Sequence, residues 1–196
     1  MKDIILASAS PRRYELLKQI GLKFEVVPSD VEEDVDLIHA PEELVKELAH
    51  KKALSVAKMI NRQWPARDAL VIGADTIVVK DRILGKPENE QSAYEMLKSL
   101  GGSWHDVITG ISVVGSSDLR SVTDFEKTRV KMRELDDKII CNYIDTKEPL
   151  DKAGAYGIQG MGALLVERIE GCYFNVVGLP LFKLCRVLEK FGIYVL

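Results

Sequence analysis

The run Ser8-Ala9-Ser10-Pro11-Arg12-Arg13 follows directly on the apolar stretch Ile4-Ile5-Leu6-Ala7. Small hydroxyl residues at a strand end, followed by proline and two guanidinium groups opening a helix, make an anion site. Free N–H groups, the positive end of the helix and the arginine forks all favour oxygen atoms of a phosphate near Ser8. Ser10 suits the N-cap, and Pro11 suits the first helical position, where an N–H has no intrahelical partner. The competing reading is a well-capped surface helix with two solvated arginines.

Further along, Leu44, Val45, Leu48, Ala49, Ala53, Val56 and Ile60 recur at helical spacing, and Lys52 falls in the middle of that apolar face. An inward lysine pairs, snorkels along its stem or meets an anion, because an unpaired buried ammonium costs several kcal/mol. If the anion is a phosphate, Lys52→Met should lose activity with equal or greater thermal stability, because an apolar side chain fits that face. The run Leu70 to Val79 is apolar but for Asp75 and Thr76. Gly73 and Ala74 allow close backbone approach or a bulge, so that Asp75 stands on a rigid base as a candidate general base or metal ligand; the alternative is a carboxylate that satisfies N–H groups at a bend. Lys86 lies at the turn Leu84-Gly85-Lys86-Pro87. Glu32 and Glu33 belong to the acidic run 30–36, and one of them could reach magnesium, which takes a few carboxylates with substrate phosphates. Residues 151–162 carry four glycines that bring backbone close to a ligand, and Gln159 at their centre offers both a donor and an acceptor, as reading the edge of a base requires. G-x-G-x-x-G between strand and helix and the Walker sequence are both absent, which argues against dinucleotide and P-loop chemistry.

Positioning these residues requires an alternation of strands and helices. Strand patterns lie at 3–7, 24–28 and 69–79, with helices at 11–20 and 42–61 between them, an α/β order. A turn at 80–82, a helix at 89–100, strands at 105–115 and 119–132 and a short helix at 136–145 follow. After the glycine-rich loop come strands at 163–169 and 173–177, and Pro180 opens a closing helix with Leu181, Leu184, Cys185 and Leu188 on its inner stripe. With 196 residues, 46% of them hydrophobic, and no linker or repeat, one folding unit over 1–196 is expected. Lysine and arginine total 27 against 30 acidic residues, so no global positive field recruits nucleic acid or a membrane. The three cysteines, Cys141, Cys172 and Cys185, sit among apolar residues and read as reduced core positions. No apolar segment approaches the ~20 residues that span a bilayer, and the first strand is too short for a signal sequence, so a cytoplasmic location is expected.

Together, S-A-S-P-R-R at 8–13, I-G-A-D-T at 72–76, L-G-K-P at 84–87, D-K-A-G-A-Y-G-I-Q-G at 151–160 and V-G-L-P at 177–180 resemble the Maf family of nucleoside triphosphate pyrophosphatases. The resemblance implies an elongated α/β fold with a mixed, twisted sheet, flanking helices and two lobes around a nucleotide cleft, similar to inosine triphosphate pyrophosphatases. It implies hydrolysis of the α–β anhydride with a divalent metal, magnesium or manganese. Asp75 corresponds to the catalytic proton acceptor, and Ser8, Arg13, Lys52 and Lys86 to phosphate-binding residues. Glu33 corresponds to a carboxylate near the metal, which Asp75 also touches. The family divides by base: a 7-methyl-GTP branch carries S-P-W-R, S-D-Q and a glutamate, whereas the dTTP/UTP branch carries arginine, threonine and glutamine, as in Arg12, Thr76 and Gln159. A cationic methylated guanine suits a tryptophan face and a carboxylate; neutral thymine or uracil presents an N3–H between two carbonyls. The resemblance therefore implies dTTP and UTP as substrates, with modified pyrimidine triphosphates as a variant sharing the chemistry. A nucleotide-binding regulator of septum formation with little turnover is the alternative, and a homodimer stays open.

Overall fold

Short apolar runs and amphipathic stripes assemble, in the computed structural model, into a seven-stranded mixed sheet with helices against it. The structure describes residues 2–31 and 40–196, so Glu33 lies outside the described residues. In chain order the elements are β1 (Asp3–Leu6), α1 (Pro11–Gln19), β2 (Glu25–Val26), α2 (Pro41–Gln63), β3 (Ala69–Val79), β4 (Ile83–Leu84), α3 (Glu90–Leu100), β5 (Trp104–Gly115), β6 (Ser121–Met132), α4 (Asp137–Asp145), β7 (Val166–Glu170), α5 (Tyr173–Val177) and α6 (Leu181–Glu189). Short 3-10 turns occupy Glu148–Asp151, Ala153–Ala155 and Gly160–Leu164. The strand order is β2-β1-β3-β5-β6-β7, with β4 on β3. β1 runs parallel to both β2 and β3, whereas β4 and β7 run antiparallel to β3 and β6.

The chain forms two compact units. The first comprises Met1–Asp75, Thr109–Glu126 and Gly178–Leu196. Its interior includes Ile5, Ala7, Ala53, Val56, Ile60, Val71 and Val114, drawn from β1 and the residue after it, α2, β3 and β5. α2 turns Leu44, Val45, Leu48, Ala49, Lys52, Ala53, Val56, Ala57 and Ile60 inward, the stripe that its spacing predicts. Two glycines let this helix lie against the sheet. A Cβ on Gly73 would stand 2.3 Å from the Ala49 carbonyl oxygen, and one on Gly110 would stand 2.1 Å from that of Val45. The close approach expected at Gly73 is therefore made to a helix backbone.

The second unit comprises Thr76–Ile108 and Lys127–Val177. Leu97, Leu100, Val130, Met132, Ile140, Tyr143, Ala155 and Tyr156 are among the residues of its core. α3 begins with a reciprocal cap: Asn89 Oδ1 accepts from the Ser92 N–H, and the Ser92 hydroxyl accepts from the Asn89 N–H.

Four readings of the sequence change here. Residues 173–177 are a helical segment, although Tyr, Phe and Val favour strands, because the wholly buried Asn175 is bonded through Nδ2 to the Val107 carbonyl and to Thr128 Oγ1. The strand expected from 163 begins at Val166, since Gly160–Leu164 closes into a 3-10 turn. The loop over 151–162 likewise contains short helical turns. Cys141 is exposed and Cys172 and Cys185 are half-buried, all free, instead of lying in the core; α4 directs Ile140, Tyr143 and Ile144 inward, which leaves Cys141 outside. Among the described residues no helix is long and apolar enough to cross a membrane.

Candidate functional site

In the first unit, parallel pairing of β1 with β3 through Leu6 and Ile72 brings the chain after β1 alongside the Ile72 to Asp75 stretch of β3. The Ala7 N–H continues that pairing to the Ile72 carbonyl at 2.8 Å. Ser8 thus leaves the carboxyl end of its strand beside the segment carrying Asp75, the end at which open parallel sheets place ligands. Ser10 occupies the N-cap of α1 and Pro11 its first turn, but the Ser10 side chain makes no capping bond. The Ser8 hydroxyl instead accepts from the Ser10 N–H at 3.3 Å and from Arg13 Nη1 at 3.1 Å. Arg13 Nε donates to the Gly178 carbonyl at 2.9 Å. One guanidinium therefore joins the first motif to the V-G-L-P segment 165 positions away along the chain. Arg12 stands half-buried on the same helix.

Lys52 and Asp75 meet. Nζ donates to Oδ1 at 2.6 Å, with the two side chains only 11% and 9% exposed. The three alternatives for an inward lysine resolve, in this structure, to a paired one. Its spacing on α2 aims it at the sheet, and the glycine at 73 sets the helix close enough for the ammonium to reach two residues further along β3.

In the second unit, Thr76 is half-buried on β3, and Lys86 is exposed just after β4. The L-G-K-P turn and the glycine-rich loop are tied backbone to backbone, as the Gly154 N–H donates to the Gly85 carbonyl at 3.0 Å. Gly154 has a φ of +68°, and a Cβ there would crowd Val78. Tyr156, two residues on, is buried with its hydroxyl 2.7 Å from His105 Nε2, and burial pushes the His105 imidazole down to about 4. Gln159 is exposed between Gly157 and Gly160. Among the described residues no three His, Cys, Asp or Glu side chains are grouped so as to hold a metal ion.

The family model for Maf-like proteins matches residues 3–191 of this chain. The chain belongs to the Maf family. It is similar to a dTTP/UTP pyrophosphatase of Acetivibrio thermocellus, 60% identical over 197 residues covering 100% of this chain and 98% of the relative. It is also similar to a dTTP/UTP pyrophosphatase of Caldicellulosiruptor saccharolyticus, 50% identical over 193 residues covering 98% and 96% of the two chains. Among solved structures, a HAM1 protein from Coxiella burnetii aligns at a TM-score of 0.47 and 14% identity, covering 67% of this chain and 73% of that one.

Two residues of this Maf protein that sequence reasoning passed over hold the loop around Gln159. Glu148 Oε1 accepts from the Tyr143 hydroxyl at 3.1 Å and from the Gly162 N–H at 3.2 Å, and Oε2 accepts from the Met161 N–H at 3.0 Å. The Tyr143 hydroxyl in turn accepts from the Gly157 N–H at 3.2 Å, and burial raises its pKa, which keeps it a neutral donor. Neither residue announces this role in the sequence: the amides that Glu148 binds lie 13 and 14 positions downstream, and backbone N–H groups leave no signature in residue types.

Proposed function

We propose that this Maf protein hydrolyses dTTP and UTP at the α–β anhydride to the nucleoside monophosphate and pyrophosphate. The observation that carries this reading is the 60% identity over the whole chain to a protein named dTTP/UTP pyrophosphatase. The buried Asp75 carboxylate beside the carboxyl end of β1 supports it as a site for a base. In this reading Asp75 accepts the proton of a water whose oxygen bonds to the α-phosphorus. The bond to the bridging oxygen breaks with its electron pair leaving on pyrophosphate. Lys52, hydrogen-bonded to Oδ1, orients the carboxylate and keeps positive charge at the phosphates; Ser8, Arg13 and Lys86 bind phosphate oxygens and offset the charge that grows on the leaving group. Arg12, Thr76 and Gln159 set the preference for thymine and uracil.

The hard carboxylate oxygens of Asp75, which is buried against a single ammonium in the described residues, have the chemistry that magnesium and manganese take together with substrate phosphates. Asp75 and Glu33 are the residues proposed to hold such a cation, which when bound supplies neutralisation of phosphate charge.

A panel of nucleoside triphosphates incubated with magnesium or manganese, scored for pyrophosphate against orthophosphate, tests the reading. Release of pyrophosphate from dTTP and UTP, abolished by excess chelator, is expected. Orthophosphate as the first product would reassign the bond that breaks, and tight nucleotide binding without turnover would make the protein a sensor.

A further inference from the structure

Gln159 is exposed, and an exposed glutamine discriminates between bases only if the backbone beneath it is held. That backbone is bonded on both sides to one acid and one phenol. Two positions before Gln159, the Gly157 N–H donates to the Tyr143 hydroxyl. Two and three positions after it, the Met161 and Gly162 N–H groups donate to the two oxygens of Glu148, which also accepts from Tyr143. One glycine of this stretch is fitted to the acid and another to the phenol. Gly160 has a φ of +63°, and a Cβ on it would stand 2.8 Å from Glu148 Oε2; a Cβ on Gly162 would stand 2.1 Å from the Gly157 carbonyl oxygen and 2.5 Å from the Tyr143 hydroxyl.

We propose that Glu148 is a positioning residue for base selectivity, acting through the backbone of residues 157–162 on the direction in which Gln159 presents its amide. The proposal rests on the reading of Gln159 as the base-facing side chain. Its chemistry is specific to a carboxylate: three donors converge on two oxygens, and no neutral isostere offers two acceptors. Glu148→Gln has the same shape but one oxygen and one NH2, so whichever way the amide turns, a backbone N–H faces another donor.

The test is steady-state kinetics with UTP and CTP, whose bases differ by a carbonyl and an amino group, on the wild type, Glu148→Gln, Tyr143→Phe and Gln159→Ala, with hydrogen exchange at the Met161 and Gly162 amides. Glu148→Gln should speed exchange at both amides and lower the UTP to CTP ratio of kcat/KM about tenfold, through KM, with kcat within about twofold. Tyr143→Phe, which leaves the carboxylate in place, should lower the ratio by a smaller factor, and it decides between the outcomes should the first variant not fold. If Gln159→Ala lowers the ratio while Glu148→Gln and Tyr143→Phe leave it at the wild-type value, positioning by Glu148 is wrong and base reading by Gln159 stands. If Gln159→Ala itself leaves the ratio unchanged, the base-reading premise fails and the proposal falls with it.

Discussion

Lys52 Nζ and Asp75 Oδ1 lie 2.6 Å apart in a buried ion pair that joins α2 to β3. Taking Lys52 away strands the Asp75 carboxylate in a poorly solvated place, and the expected cost is about 3–5 kcal/mol. Lys52→Met should therefore lower the midpoint of urea unfolding markedly, in contrast to the equal or greater stability expected of a lysine whose partner is only a phosphate. Lys52→Met combined with Asp75→Leu, which removes both charges, should recover most of the loss. A single variant as stable as the wild type would show that the pair contributes nothing to the fold.

Asp75→Asn keeps the shape of the side chain and one acceptor while removing its basicity. A fall in kcat of about 10²-fold or more is expected, the usual scale for loss of a general base. Pyrophosphate release under saturating UTP measures it, with circular dichroism to confirm that the fold survives. Near-normal turnover would confine Asp75 to a structural role opposite Lys52.

Gln159→Glu replaces a donor and an acceptor by acceptors and a charge that a neutral pyrimidine does not match. A mismatched polar edge costs roughly 1–3 kcal/mol, so kcat/KM for dTTP and UTP should fall about 10- to 100-fold. Adding Arg12→Trp and Thr76→Gln should shift preference toward 7-methyl-GTP, whose cationic ring gains a carboxylate and an aromatic face. Competition between UTP and 7-methyl-GTP reads the change, and an unaltered ratio in Gln159→Glu would remove Gln159 from base recognition.

His105 supplies a pH dependence. Burial lowers its folded pKa from 6.5 to about 4, so below pH 6.5 the unfolded chain takes up this proton before the folded one does. The contribution of His105 to stability is complete above pH 6.5 and is lost progressively as pH falls toward 4, by about 2 kcal/mol at pH 5. Chemical denaturation at pH 7 and pH 5 should show this loss in the wild type. In His105→Gln, which keeps a hydrogen-bonding group for Tyr156, the loss should be smaller by that amount. Equal losses in the two proteins would place the acid sensitivity elsewhere.

Much of the candidate site was legible because its proposed chemistry is carried by residue type. An acid inside an apolar strand, a lysine on an apolar stripe and two arginines after a Ser-Pro start are local anomalies, and Asp75, Lys52 and Arg13 stood out for that reason. Periodicity also located the long helix at 42–61, against Pro41–Gln63 in the structure, since its stripe is continuous over many turns. It failed at 173–177, where five residues are too few to reveal a period and a buried amide bonded to Val107 and Thr128 overrode the strand preference of Tyr, Phe and Val.

What the sequence alone determined is which groups are available and roughly which element bears each, because apolar spacing and glycine or proline punctuation act over a few neighbouring residues. Who meets whom was decided only in three dimensions. Lys52 and Asp75 are 23 positions apart, Arg13 and Gly178 are 165, and Glu148 finds two amides 13 and 14 residues later. A buried polar group must be matched by whichever partner the packing of helix and sheet brings within about 3 Å, and that depends on strand register and on which helix turn packs against Gly73 and Gly110, neither of which is written at any single position.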